Sequence, residues 1–265
     1  MAKWKSLFCC ILIIYIIKMS ITHENLIYGI RPIIEAIRSG KEIEKLFLSK
    51  QAGGNLFKDL FSLARENNIP IQFVPNEKLN RITSKVHQGA IAYISEISFY
   101  KTYQILPVIY EKGEIPLLLI LDSITDVRNF GAIVRTAECA GVHAIIIPLK
   151  GSATINADAV KTSAGALHSV PICREKSINQ TISFLKQSGV QIIAATGETD
   201  KAYYNANFSL PTAIIMGSED EGIRHSILIL ADDTVKIPLS GNIASLNVSV
   251  ATGILLFEAV KQRNL

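Results

Sequence analysis

Short apolar blocks set the rhythm of this chain. Leu117–Leu121, Ala144–Ile147, Val170–Cys173, Gln191–Ala195, Ala213–Met216 and Val235–Pro238 recur through its second half, with helix-like segments between most of them. Such blocks read as strands buried on both faces. Their alternation with helices predicts a largely parallel sheet covered on both sides. The first half is lighter in pattern. Gly29-Ile30-Arg31-Pro32 precedes Ile33, Ile34, Ala36 and Ile37, an amphipathic helix with proline near its first turn. Lys45–Leu48, Ile71–Val74 and Ala90–Ile94 read as strands, Leu56–Asn67 as a helix and Lys78–Thr83 as a shorter one. This predicts a small α/β domain over residues 23–97. Residues 98–115, with Pro107, Gly113 and mixed charge, read as a linker, and 116–265 as the larger domain.

The end of the chain breaks the rhythm. In Ile237–Ala259, IPLSGNIASLNVSVATGILLFEA, the polar residues Ser240, Asn242, Ser245, Asn247 and Ser249 crowd a loop and helix entry. Val248, Val250, Ala251, Ile254, Leu255 and Ala259 then make a nearly all-apolar helix. A helix that apolar is expected to be buried, and its polar entrance with it. Buried polar groups need partners, so a polar ligand is expected there.

Composition narrows the class. Hydrophobic residues are 49% of the chain and charged residues 19%, which fits a globular protein. The net charge of +4 includes Lys3, Lys5 and Lys18, so the rest carries only about +1. Any nucleic-acid binding must then come from local patches. Cys9, Cys10, Cys139 and Cys173 show no CxxC or Cys/His spacing; no metal site is expected, and buried thiols in a reducing compartment are. Residues 1–18 hold an apolar run, Leu7–Ile17, shorter than the ~20 residues that span a bilayer. A start placed too far upstream, with Met19 the first residue, is the favoured reading. A membrane-associating tail and a cleaved signal are the alternatives.

Three segments carry candidate chemistry. In Leu121–Pro148 a strand ends at Asp122, a helix opens near Asn129, and Arg135 follows within its first turns. Asn129 could be a helix cap and Arg135 an ordinary exposed residue. In Ala213–Gly222, AIIMGSEDEG, a strand runs into Gly217-Ser218-Glu219, where glycine lets a ligand approach the backbone and Gly222 opens the next helix. Third, Ser245 and Asn247 sit at a helix N-terminus. No GxGxxG opens a helix after a strand, which argues against a dinucleotide enzyme.

Together NFGAIVRTAECAG, IMGSEDEGI and IPLSGNIASLNVSVATGILLFEA resemble the three motifs of the SpoU (TrmH) family of RNA ribose 2′-O-methyltransferases, in order and spacing. IYGIRPIIEAI and VHQGAIA resemble the small N-terminal domain of a bacterial branch that methylates a guanosine ribose in large-subunit ribosomal RNA. The resemblance implies an α/β fold with a C-terminal trefoil knot, a mostly parallel sheet, and a small α/β RNA-binding domain in front. It implies S-adenosylmethionine as cofactor, its adenine held near Thr196, Gly197, Gly217, Ile237 and Leu246. It places the catalytic polar groups at Asn129, Arg135, Glu219, Ser245 and Asn247. Arg135 would polarise the 2′-hydroxyl or anchor a phosphate, with Ser245 and Asn247 orienting it or the ribose and Glu219 positioning the arginine or the loop. Arg31, Lys85, His87 and Gln88 become candidate RNA contacts. A cytoplasmic homodimer without stable membrane association is implied. A tRNA methylase of the same family and a non-enzymatic RNA-binding protein that kept the fold stay open.

Overall fold

The computed structural model describes residues 26–241 and 244–264, which divide after Ser95 into two compact units. The readings of residues 1–18 and of Asn242 lie outside the described residues.

The first unit is a four-stranded mixed sheet in the order β1 (Leu26–Tyr28), β4 (Ala90–Ile94), β2 (Ile43–Ser49), β3 (Ile71–Val74). β4 runs antiparallel to β1 and β2, and β3 runs parallel to β2. Side chains alternate across a strand, so one face of β2 sends Leu46 and Leu48 into a core with α1 (Ile30–Arg38) and α2 (Asn55–Glu66). The other face sends Phe47 against Val74, Ile91 and Leu79 of α3 (Asn76–Ile82).

The second unit is a seven-stranded sheet in the order β11 (Asp233–Val235), β9 (Gln191–Ala195), β10 (Thr212–Met216), β6 (Leu117–Leu121), β7 (Ala144–Pro148), β8 (Ile172–Glu175), β5 (Phe99–Tyr100). Every pairing is parallel. Leu117, Leu119 and Leu121 face one core with α5 (Val127–Cys139), α6 (Ala157–Thr162) and α9 (Val248–Arg263). Leu118 and Ile120 face the other, with α4 (Thr102–Glu111), α7 (Ile178–Gln187) and α8 (His225–Leu228).

Four expectations need correcting. Residues 98–115 are not a linker: they contain β5, which extends the sheet beside β8, and α4, whose Leu106 and Ile109 are buried. Pro107 sits inside that helix, where a missing N–H forfeits one bond rather than ending the helix. The final helix is not buried all round: Val248, Thr252, Leu255, Leu256 and Ala259 are inside, while Val250 is 52% and Phe257 50% exposed. Ser245 and Asn247 at its entrance are exposed as well. Of the two described cysteines only Cys173 is buried, and burial pushes its thiol up to about 12; Cys139 lies on the outer side of α5. Gly222 does not open a helix; it closes a tight turn, described below.

The helix α9 is fastened at its far end by Arg263. Its guanidinium donates to the carbonyls of Phe208 (2.9 Å), Ile115 (2.8 Å), Pro116 (2.9 Å) and Leu210 (2.9 Å), at the entrances of β6 and β10. Arg263→Ala is expected to lower stability by about 2 kcal/mol, because several charge-assisted bonds are lost and the Phe208 and Ile115 carbonyls lose their donor, while those of Pro116 and Leu210 keep Thr212. A urea titration of the parent and variant reads this as a lower midpoint at unchanged slope.

Candidate active site

The sheet reverses its winding at β6: the chain goes on to β7 and β8 on one side, then returns to β9 and β10 on the other. The carboxyl ends of strands at such a switch point leave a crevice that no crossover covers. The candidate chemistry gathers there.

Each side chain is placed by local chemistry. Asp126 caps α5, its Oδ1 accepting the N–H groups of Arg128 (2.9 Å) and Asn129 (2.8 Å). Asn129 is therefore not the cap; it is aimed by one. After β10 the chain makes a tight turn in which Ser218 and Gly222 exchange two backbone hydrogen bonds of 3.1 and 3.0 Å. Gly222 takes φ +67°, and a Cβ on Gly217 would lie 2.1 Å from the Gly222 carbonyl carbon, so both positions need glycine. Glu219 stands at the tip. Asn247 caps α9, its Oδ1 accepting the Ser249 N–H at 3.0 Å.

These three segments meet in one polar cluster. Glu219 Oε1 accepts from Asn129 Nδ2 (3.2 Å), Asn247 Nδ2 (2.6 Å) and the Val248 N–H (3.1 Å). Asn247 Nδ2 also donates to Asn129 Oδ1 at 2.9 Å. A carboxylate that takes three donors at one oxygen fixes both asparagines and leaves Oε2 for a ligand. Glu219 thus holds the loop and the α9 entrance, not the arginine. Arg135 is exposed on α5, and six residues place it well round the helix from Asn129. Among the described residues it makes no hydrogen bond or ion pair.

Beside the cluster lies a cavity of about 250 Å³. Thr196 and Gly197 after β9, Gly217 after β10, Ile237 after β11 and Leu246 before α9 all line it, as do Ser245 and Glu219. The structure therefore brings all five predicted adenine-site positions to one cavity, together with Ser245 and the Glu219 carboxylate. The lining suits a flat base. Met216, Ile237 and Leu246 supply apolar surface, strand ends supply backbone donors and acceptors, and a Cβ at Gly197 would meet nothing within 4 Å. Among the described residues no group of His, Cys, Asp and Glu could hold a metal ion.

One pair was not foreseen. Asp122, fully buried at the end of β6, accepts from Arg224 Nε (2.8 Å), Nη2 (2.6 Å) and backbone N–H (2.9 Å). The hydrogen bond to Asp122 raises the Arg224 pKa above its ordinary value. The pair clamps the far end of the glycine turn to the central strand. The arginine just after IMGSEDEGI was a signal for it, as was a carboxylate closing an otherwise apolar block.

In the first unit Lys85, His87 and Gln88 share the loop between α3 and β4. Gln88 Oε1 faces the Ile30 N–H at 3.4 Å, which brings the start of α1 to this loop, and Arg31 is exposed there.

A parallel α/β domain with a polar cluster and a base-sized slot at its switch point defines an enzyme of the ligand-at-the-rim type, preceded here by a separate small α/β unit. Residues 116–257 match the SpoU rRNA Methylase family, residues 26–100 match the RNA 2′-O ribose methyltransferase substrate binding family, and the chain belongs to the SpoU methylases. The 23S rRNA (guanosine-2′-O-)-methyltransferase RlmB of Escherichia coli (strain K12) is 36% identical over 91% of this chain and 100% of its own length. YacO of Bacillus subtilis (strain 168), which carries a provisional name as a TrmH family tRNA/rRNA methyltransferase, is 30% identical over 93% of this chain and 98% of its own. The crystal structure of the SpoU methyltransferase AviRb from Streptomyces viridochromogenes, in complex with the cofactor AdoMet, shares the fold. It superposes with a TM-score of 0.58 at 24% identity, covering 90% of each chain. The knotted α/β fold implied by the sequence motifs is the fold of this family. Among the described residues no helix is long and apolar enough to cross a membrane.

Proposed function

We propose that the protein transfers a methyl group from S-adenosylmethionine to the ribose 2′-hydroxyl of a guanosine in large-subunit (23S) ribosomal RNA, acting in the cytoplasm as a homodimer. The observation that carries the reading is the Asn129–Glu219–Asn247 cluster at the mouth of the slot lined by Thr196, Gly197, Gly217, Ile237 and Leu246. The slot would hold the cofactor, which supplies an electrophilic methyl group on a sulfonium. The locked asparagines and the free Glu219 oxygen would hold the ribose in line with it, and positioning supplies much of such a rate. Ser245 at the rim would add a hydroxyl contact. Arg135, engaged by no other described residue, would polarise the 2′-hydroxyl or grip its phosphate.

Full-length similarity to RlmB, through both units, supports the 23S guanosine. The name of YacO keeps tRNA in view as a second substrate class. The exposed apolar residues Val250 and Phe257 on α9 give a second copy a surface to cover. The test is methyl transfer from labelled cofactor, by a protein beginning at Met19, to protein-free large-subunit rRNA, small-subunit rRNA and tRNA. Label on one large-subunit guanosine as 2′-O-methyl is the expected result. Label on tRNA alone overturns the substrate and keeps the reaction.

A further inference from the structure

The first unit carries a cavity of its own, about 430 Å³, between the loop after β2 and the loop from α3 to β4. Gln51, Asn76, Asn80, Lys85 and His87 put polar groups on its walls beside Ala52 and Val86, and none of its lining residues is a carboxylate. Their groups are held rather than loose. His87 Nδ1 accepts the Gly89 N–H at 3.0 Å, so its Nε2 carries the proton and donates to Asn80 Oδ1 at 2.8 Å. Both ring nitrogens are engaged, which fixes the plane of the imidazole. Asn76 Nδ2 donates to Gln51 Oε1 at 3.0 Å, while Asn76 Oδ1 is buried with no partner among the described residues. A desolvated acceptor without a donor is costly, so the Asn76 amide gains by turning toward an N–H group brought into the cavity it lines.

The loop also shows strain where the cavity forms. Gln88 sits at φ +51°, a conformation rare outside glycine. Gly89 follows at φ +80°, and a Cβ there would meet Ala52 Cβ at 2.9 Å. The loop is thus pressed onto residues 49–52, which keeps His87 at the cavity, while Lys85, also on its wall, holds its ammonium 5.1 Å from the centre of the Tyr28 ring.

We propose that this cavity receives one unstacked nucleobase of the substrate RNA, stacked on His87 and read by Asn76, Asn80 and Gln51, with Lys85 at the attached phosphate. The inference rests on the RNA-directed reading above. Turned to the cavity, the Asn76 amide oxygen would join amide protons of Asn80 and Gln51 that bond no described residue, an acceptor with donors, the complement of a base edge. A single lysine without opposing carboxylate matches one phosphate. Unstacked bases are what proteins read in RNA, because the A-form major groove is closed to side chains.

The test is photo-crosslinking of the full-length protein to short single-stranded RNA carrying 4-thiouridine, with peptide mapping and affinity measured alongside. Crosslinks within residues 49–52 and 76–89 are expected, with the matching duplex competing poorly. Lys85→Ala and Asn80→Ala, both at exposed positions, should each weaken binding about tenfold. Asn80→Asp keeps the acceptor that holds His87 but loses the amide protons, so it too should bind about tenfold more weakly. Crosslinks elsewhere, no crosslink at all, equal competition by duplex, or unchanged affinity in Asn80→Asp overturns the proposal. The readout needs neither cofactor nor methyl transfer, so its failure and failure of the proposed reaction are separate results.

Discussion

Arg135→Ala is expected to fold, to bind S-adenosylmethionine as the parent does, and to transfer methyl groups about 100- to 1000-fold more slowly. The side chain is exposed on α5 and engages no other described residue, so its removal leaves the fold intact. Its guanidinium, unpaired among the described residues, is a strong positive charge free to meet a phosphate or a developing alkoxide; Arg128, just before Asn129, is exposed as well. Glu219, which could have held it, is committed to Asn129, Asn247 and the Val248 N–H. Single-turnover transfer at saturating RNA and cofactor, beside calorimetric cofactor binding and a thermal melt, reads the separate terms. Arg135→Lys should recover part of the rate, since it restores the charge without the planar fork. A folded, cofactor-binding Arg135→Ala protein that transfers at the parent rate would remove Arg135 from the mechanism.

Gly217→Ala should do the opposite: it should damage the slot itself. The added methyl would fall 2.1 Å from the Gly222 carbonyl carbon and 2.3 Å from the Ile223 nitrogen, both backbone atoms that no rotamer can move. The turn must open, breaking the Ser218–Gly222 pair and carrying Glu219 away from both asparagines. We expect cofactor affinity to fall at least about 100-fold and stability to drop by about 2–3 kcal/mol. Gly53→Ala is the matched control, at a glycine with open space and no positive φ. Calorimetry with S-adenosylmethionine and a urea titration decide it. Parent-like binding by Gly217→Ala would mean the turn gives way without cost to the site.

Much of this site was legible because its parts are local motifs at strand ends. The strand blocks of the larger unit appear at nearly the predicted places, since Leu117–Leu121 and Ala213–Met216 have too many consecutive apolar residues for anything but a doubly covered sheet. Other features depended on contacts that a linear pattern does not hold. Residues 98–115 looked like a linker because Pro107 and scattered charge outweighed Leu106 and Ile109, whose burial comes from β7 and its neighbours far along the chain. Hydropathy said that α9 must be covered, and could not say by what: part of its apolar surface is left open by the described residues. Asn129 and Asn247 are 118 residues apart, and only the sheet order brings them within 2.9 Å. The Asp122–Arg224 clamp escaped because a lone carboxylate and a lone arginine 102 residues apart carry no spacing rule.

The strand order has a consequence for how the molecule comes together in time. β9 is bonded only to β10 and β11, and both follow it along the chain. Strands β5 to β8 can zip into a continuous sheet by themselves, but β9 has no ladder to join until Thr212–Met216 slides between it and β6. That insertion is a long-range, all-parallel event, the slow kind of step in folding. Until it happens, Leu117–Leu121 stands as an open and wholly apolar edge, the sort that pairs with a neighbouring molecule instead. Refolding yield should therefore fall steeply as protein concentration rises, and substitutions that delay β10 should cost soluble protein before they cost activity.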